Sequence, residues 1–390
     1  MTVRTAIIIL NVAAAVVLAV TVAWRVLSLR RNPDESEPQN LSPAYPDDVL
    51  ETSKLERVLF WSLICSGILA LALPLYWLRE PNRQAEATDG FDERSVERGA
   101  ELYADQTMET YNATVSLGCA SCHGANGEGG TAPTILQPPE EGAAPVRVSW
   151  QAPALDTVLL RYPREQVKQI LVYGRPGTPM PAWGVEGGGS KNDQAIEDVL
   201  NYLETIQLSP AGAKQLQANP VEAAVAEAED QLERARANLA QAEEGLAAAG
   251  TAEDRRLAEE AVELAEQAVE STEARLAEVE GATEGQILFE DNCARCHTQG
   301  WNYYDPTDAR IPLPAEQGSG GFGPNLTGGV TVQQFPGPTG VADMVAFVTQ
   351  GSLFQKPYGV RGIGSGRMPG FGQVLSEEQI QAIVEYERDL

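Results

Sequence analysis

Two long uncharged runs of hydrophobic residues lie near the N-terminus of this 390-residue chain. The first covers residues 6–24 and the second residues 58–78, with Trp61, Tyr76 and Trp77 near the ends of the second. Each run is long enough to cross about 30 Å of hydrocarbon as a helix, and aromatic residues at such positions are typical of a membrane interface. The pattern predicts two transmembrane helices. The alternatives are a cleaved signal peptide for the first run and a buried core helix for the second.

Basic residues decide the expected orientation of the two spans. Five Lys and Arg residues lie between the spans and close to their ends, against one before the first span and two just after the second. Cytoplasmic loops of membrane proteins carry the excess of Lys and Arg, so we expect the connector in the cytoplasm and both termini outside it. We assign residues 1–30 to the first transmembrane helix, 31–57 to the cytoplasmic connector, 58–78 to the second helix and 79–94 to a polar linker.

The hydrophobic spacing changes over residues 221–280. Hydrophobic residues recur every seven positions at Val225, Leu232, Leu239 and Leu246, with Ala228, Ala235 and Ala242 between them. This is a heptad pattern in a segment rich in helix formers. Gly250 breaks the pattern, and Thr251 with Asp254 resembles the cap of a new helix. We predict that residues 209–280 form a linker and an antiparallel helical hairpin, serving as a spacer or docking arm; one long helix or a partly disordered acidic linker is the alternative.

The charge of the chain narrows its possible partners. The formal net charge is −27, which argues against nucleic acid as a partner. Residues 221–280 hold 17 Asp and Glu against 5 Arg, a local net charge of −12. We interpret this run as a solvated helix surface, with a docking patch as the alternative.

The candidate chemistry lies in a repeated five-residue motif that uses both His residues of the chain and four of its five Cys residues. The two copies consist of Cys119, Cys122 and His123, and of Cys293, Cys296 and His297. C-x-x-C-H is the attachment signature of c-type haem, in which each Cys forms a thioether and the His becomes the proximal iron ligand. A zinc site would have to unite two distant Cys pairs, and a thiol–disulfide motif needs no adjacent His. The motifs therefore predict two covalently bound haem c groups, on the extracytoplasmic side where attachment generally occurs. The remaining cysteine, Cys65, lies in mid-span and suits packing.

A haem iron needs a second axial ligand to be closed, and the chain has no third His for this role. Met is the next candidate. Met180 and Met368 each follow one motif, each precede a Pro, and each lie in a Gly-containing segment that predicts a tight loop. We predict that both are iron ligands; an ordinary core contact is the alternative for each.

Each haem unit, residues 95–208 and residues 281–390, resembles a class I cytochrome c domain in its order of helix, C-x-x-C-H, Gly/Pro-rich loop, helix, Met-Pro and final helix. The resemblance implies that the first and last helices cross through a Gly and two aromatic residues. These would be Gly99, Tyr103 and Tyr202 in the first unit, and Gly285, Phe289 and Tyr386 in the second.

The same family orients the proximal His through a hydrogen bond to a backbone carbonyl in a Gly-Pro-x-Leu segment. Gly323-Pro324-Asn325-Leu326 matches this segment in the second unit, so Pro324 is its expected acceptor. The first unit departs from the pattern. Pro153 and Pro133 compete there, and we prefer Pro153 because it lies just before the next predicted helix.

Two spans followed by two such domains resemble the dihaem cytochrome c subunits of respiratory complexes, either the quinol-oxidising bc type or a haem-copper oxidase. The resemblance implies an all-α protein of the prokaryotic cell membrane that passes single electrons and has no catalytic residues of its own. Its partners would be integral membrane subunits of the complex and a soluble or membrane electron carrier. The alternative function is a dihaem peroxidase or a haem-based sensor with an open haem, but no spare His is present for acid–base chemistry.

Overall fold

The computed structural model describes residues 12–13, 16–24, 26–27, 49–137 and 144–390. It divides the chain into two compact units, Met1–Ala85 and Glu86–Leu390.

The described residues of the first unit are helical. A π-helical turn, Val49–Lys54, precedes helix α1, Leu55–Tyr103, whose C-terminal part belongs to the second unit. Among the described residues α1 alone is long and apolar enough to cross a membrane, a finding on its length and composition. It contains the predicted second span. The predicted first span, residues 6–24, and the predicted connector, residues 31–57, lie partly outside the described residues.

The predicted polar linker, residues 79–94, is helical and forms part of α1. Its Glu, Arg, Gln and Ala residues favour helix, and extending an existing helix avoids the cost of a new nucleus. These two effects outweigh the interior Pro81, which cannot donate a backbone hydrogen bond within the helix.

The second unit begins with the C-terminal turns of α1 and continues through three segments of structure. The first contains α2 Ala120–His123, β1 Gly130–Leu136, β2 Val146–Ala152, α3 Val158–Arg161, α4 Arg164–Tyr173, a 3-10 turn Val185–Gly187 and α5 Asp193–Thr205. The next contains α6 Pro210–Leu216, α7 Pro220–Ala248 and α8 Ala252–Gly281. The last contains α9 Glu284–Phe289, a π-helical turn Glu290–Ala294, α10 Arg295–His297, a 3-10 turn Trp301–Tyr303, α11 Val330–Gln334, α12 Gly340–Gln350, β3 Pro357–Tyr358, β4 Gly362–Ile363 and α13 Glu377–Asp389.

The expected all-α class holds for the helical framework, but the described residues also contain two small antiparallel sheets. In the larger sheet β1 pairs with β2, with Gly130 opposite Ala152 and Leu136 opposite Val146. Both strands carry Thr, Val, Ile or Trp residues that favour extended backbone. The segment between the first haem motif and α3 therefore forms a β-hairpin arm where the sequence predicted only loop.

Two helix crossings form the frame of the haem units. In the first, α1 meets α5 so closely that a Cβ on Gly99 would lie 2.0 Å from the carbonyl oxygen of Asp198, and the rings of Tyr103 and Tyr202 lie 5.2 Å apart. Only glycine allows this approach of two backbones.

The second crossing repeats this arrangement between α9 and α13. A Cβ on Gly285 would lie 2.2 Å from the carbonyl oxygen of Ala382, and the rings of Phe289 and Tyr386 lie 5.4 Å apart. Each crossing belongs to its own hydrophobic core, which gives the chain two internally similar helical domains.

Helices α7 and α8 pack against each other as a hairpin, joined by Arg236 and Glu273 at 2.8 Å. The base of the hairpin is tied to the second haem domain, because Val279 shares a buried cluster with Ile287 of α9 and Arg275 is ion-paired with the buried Glu290. The base of the hairpin is therefore packed against the residues that precede the second haem motif.

Candidate haem-binding sites

The two motif histidines make the same hydrogen bond. Nδ1 of His123 donates to the carbonyl oxygen of Pro153 at 2.8 Å, and Nδ1 of His297 donates to that of Pro324 at 2.9 Å. Both rings are buried, each with 9 % of its surface exposed. The competing Pro133 lies in β1, opposite Ser149. Because Nδ1 is bound in this way, Nε2 is left to face a metal.

A short helical turn holds each motif. Cys119 precedes α2, which contains Cys122 and ends at His123; in the other copy Cys293 lies in the π-helical turn and Cys296 in α10. In both copies a glycine amide then binds the carbonyl oxygen of the histidine at 2.8 Å, Gly129 to His123 and Gly320 to His297. The two copies therefore agree in the chain that follows the motif as well as in the motif.

Glycine makes the close packing around the second imidazole possible. A Cβ on Gly323 would lie 2.7 Å from Cε1 of His297 and 2.9 Å from both ring nitrogens. Those separations are well inside van der Waals contact. The backbone of Gly323 therefore packs directly on the ring and fixes its plane.

The predicted methionine ligands lie on matching loops. Helices α4 and α12 are followed by the capping residues Gly174 and Gly351, both with positive φ, and each glycine packs against the backbone of a Met-Pro segment. The loop at Gly174 carries Met180, which packs on the first core together with Cys119. The loop at Gly351 carries Met368, which packs on the second core, as Cys293 does.

The electrostatics favour neutral ligands. Burial lowers the pKa of His123 and of His297, and the proline carbonyl opposes that shift in each case. A neutral imidazole is the form that binds a metal. Burial likewise raises the pKa of the Cys293 thiol well above its ordinary value. Both shifts indicate a dry, apolar setting in which neutral sulfur is favoured.

Sequence reasoning missed two arginines beside the first motif. Arg161 donates from Nη2 to the carbonyl oxygen of Ala154 at 2.7 Å, and Arg295 donates from Nη1 to that of Gln151 at 2.9 Å. Burial lowers the pKa of both guanidinium groups. The available signal for Arg295 was its position between the two cysteines of the second motif.

The residues present fit a covalently attached haem. Within the described residues, no hydrogen bond involves Nε2 of either motif histidine, and the cysteines of both motifs form no disulfide. Each domain offers two thiols for attachment, an imidazole for the iron and a methionine loop, which are the groups that a haem c site uses.

Comparison with known proteins agrees with this geometry. Residues 96–207 match the family described as cytochrome c, and residues 280–386 match the family described as cytochrome C oxidase, cbb3-type, subunit III. No curated protein and no solved structure matches the chain. Cytochrome c domains bind haem c covalently and transfer electrons. The chain therefore contains two cytochrome c domains, the first matching the general cytochrome c family and the second the family of cbb3-type oxidase subunit III.

Proposed function

We propose that this chain is a membrane-anchored dihaem cytochrome c that carries single electrons in a respiratory chain. The observation that best supports this proposal occurs twice in the chain: a buried motif histidine donates a hydrogen bond from Nδ1 to a proline carbonyl. One haem would be attached at Cys119 and Cys122, and the other at Cys293 and Cys296. Met180 and Met368 would close the two irons opposite the histidines.

Haem supplies the one-electron chemistry, and the residues of the chain set its conditions. The carbonyls of Pro153 and Pro324 keep each imidazole in one tautomer and raise its basicity as a ligand. The apolar cores would exclude water and lower the dielectric constant around the iron, and both effects influence the reduction potential. No residue of the chain needs to exchange protons with a substrate in this role.

The membrane and the partner follow from the second domain and from α1. The family that matches residues 280–386 is named for subunit III of a cbb3-type oxidase, which favours a haem-copper oxidase over a quinol-oxidising complex as the assembly. The apolar residues 58–78 of α1 are exposed and suit a span. We propose two spans, residues 6–24 and 58–78, with both haem domains on the extracytoplasmic side.

The contact between the haem domains supports electron transfer within the chain. Nε2 of Gln166 in α4 donates to the carbonyl oxygen of Gly366 at 2.8 Å, two residues before Met368. The ring of Trp150 on β2 lies 5.6 Å from that of Tyr303. Both contacts join the first haem domain to the second.

The test is to purify the full chain from a host that attaches haem c and to record its haem content and reduced spectrum with and without carbon monoxide. We expect two haems per chain and a spectrum that carbon monoxide leaves unchanged, since both irons would have strong sixth ligands. The variants Cys119→Ser and Cys293→Ser should each weaken attachment at one site, whereas Cys65→Ser should keep both haems. A clear shift with carbon monoxide would favour the peroxidase or sensor, and fewer than two haems in the parent would contradict the dihaem assignment.

A further inference from the structure

One short segment of the first haem domain receives hydrogen bonds from three cationic or imidazole groups. The carbonyl oxygen of Pro153 accepts from His123, that of Ala154 accepts from Arg161, and that of Gln151 accepts from Arg295. The first two donors belong to the same domain as the segment. Arg295 belongs to the other domain and is part of the second haem motif.

Arg295 therefore crosses the boundary between the haem domains. Its backbone is fixed in the second domain, where its carbonyl oxygen accepts from Nδ2 of Asn302 at 2.7 Å. Its side chain is half-buried, and within the described residues no carboxylate forms an ion pair with it. A guanidinium in such a place keeps its full charge because arginine does not lose its proton in proteins.

The path between the two haem motifs is short at this point. It runs from the His123 ring to the carbonyl of Pro153 at 2.8 Å, along the backbone to Gln151, and from that carbonyl to Arg295 at 2.9 Å. Arg295 lies two residues before His297, yet its guanidinium binds Gln151, two residues before the proline whose carbonyl orients His123. The contact of Trp150 with Tyr303 lies beside it and holds the same two segments together.

We infer that Arg295 is a positioning residue for the haem of the opposite domain: it anchors residues 151–154 and holds a positive charge near His123 that favours the reduced state of the first haem. This inference rests on the proposed dihaem function. A ferrous haem carries one positive charge less than a ferric haem, so a nearby cation raises the reduction potential, and a half-buried cation acts with little screening. Loss of the Arg295 charge should therefore shift the potential of the first haem more than that of the second, although Arg295 lies in the second motif.

The experiment is a redox titration of the haem-loaded full chain and of five variants. Cys119→Ser and Cys293→Ser first assign each midpoint to one haem. Arg295→Gln removes the charge and Arg295→Lys keeps it. Arg310→Gln is the matched control, because Arg310 lies in the same domain but is exposed and paired with Asp308.

We expect Arg295→Gln to lower the reduction equilibrium constant of the first haem about three- to tenfold, where tenfold corresponds to about 59 mV for a one-electron couple. The potential of the second haem should shift less. Arg295→Lys should restore most of the parent potential of the first haem, and Arg310→Gln should change neither potential. If Arg295→Gln does not load haem, Arg295→Met against Arg295→Lys makes the same comparison of charge. An unchanged potential of the first haem, or a larger shift in the potential of the second, overturns the inference. The proposed function stands in either case as long as the chain binds two haems.

Discussion

The glycine that packs on the second proximal histidine offers the most direct test of the site. Alanine at position 323 adds one methyl group, whose carbon would lie 2.7 Å from Cε1 of His297. Carbon atoms in contact prefer about 3.5–4.0 Å, so ring and backbone must separate by about 0.8 Å. The backbone has little room to move, since the amide of Gly323 is bound to the carbonyl of Cys296 at 2.7 Å. The ring therefore has to shift.

The size of the effect follows from these distances. A ring shift of about 0.8 Å takes the 2.9 Å bond from His297 to Pro324 beyond normal hydrogen-bond length. Losing that bond costs about 0.5–1.5 kcal/mol, and overpacking a filled site costs about 1–3 kcal/mol. Together they give about 1.5–4.5 kcal/mol. For a domain of this size that corresponds to a fall in melting temperature on the order of 10 °C.

The assay compares Gly323→Ala with Gly245→Ala by thermal unfolding and by redox titration of both haems. Gly245 lies in helix α7 with no atom within 4 Å of an added Cβ, so its replacement should stabilise the chain by about 0.5–1 kcal/mol. Gly323→Ala should lower the melting temperature. It should also raise the potential of the second haem alone, because an imidazole without its Nδ1 acceptor is a less basic ligand.

The reasoning is refuted if Gly323→Ala keeps the melting temperature and both potentials of the parent chain. That result would mean that the ring adjusts freely and that the carbonyl of Pro324 does not hold it. A shift of the first haem with an unchanged second haem would contradict the assignment of Gly323 to the His297 site.

Four further predictions concern other parts of the chain. Arg275→Ala should destabilise it by about 3–5 kcal/mol in denaturant unfolding, because Glu290, with 2 % of its side chain exposed, loses its ion pair; Arg275→Lys should recover part of the loss. Burial raises the pKa of Glu387 to about 8 from 4.5, so the stability this group contributes is full below about pH 4.5 and is lost as the pH rises through 8. Glu387→Gln should therefore raise the melting temperature at pH 9 and leave it unchanged at pH 4. Met368→Ala should let carbon monoxide bind one of the two reduced haems, seen in the difference spectrum. Removing residues 240–268 and rejoining the helices with a short glycine-containing loop should leave both haem spectra intact, because the base of the hairpin remains.

The periodic elements could be read from the sequence because each depends on local spacing. Ala228, Leu232 and Ala235 of the heptad are buried in α7, and Thr251 with Asp254 forms the capping box at the start of α8. The crossing glycines, Gly99 and Gly285, were named from the resemblance to class I cytochrome c domains. The structure gives the physical reason, since the two backbones approach too closely for any side chain. Iron ligation by Met180 and Met368 stays a prediction.

Misreadings arose where propensity and context competed. The assignment of residues 79–94 to a polar linker left their conformation open, and the structure shows them as helix. The β1–β2 arm was missed because its strands are short and pair only with each other. Ala213 of the predicted linker is buried in the core of the second haem domain, a placement that no local pattern reveals.

The sequence by itself determined the chemistry, since two C-x-x-C-H motifs carry both histidines of the chain and place thiols and imidazole within five residues. Only the tertiary structure decided how the two motifs relate. The position of Pro153 in the sequence favoured it as the acceptor for His123, but the fold is what brings its carbonyl oxygen to Nδ1 while Pro133 lies in β1 opposite Ser149. The contact of Arg295 with Gln151 joins residues 144 positions apart. Such long-range contacts arise from the packing of whole domains, which adjacent residues do not encode.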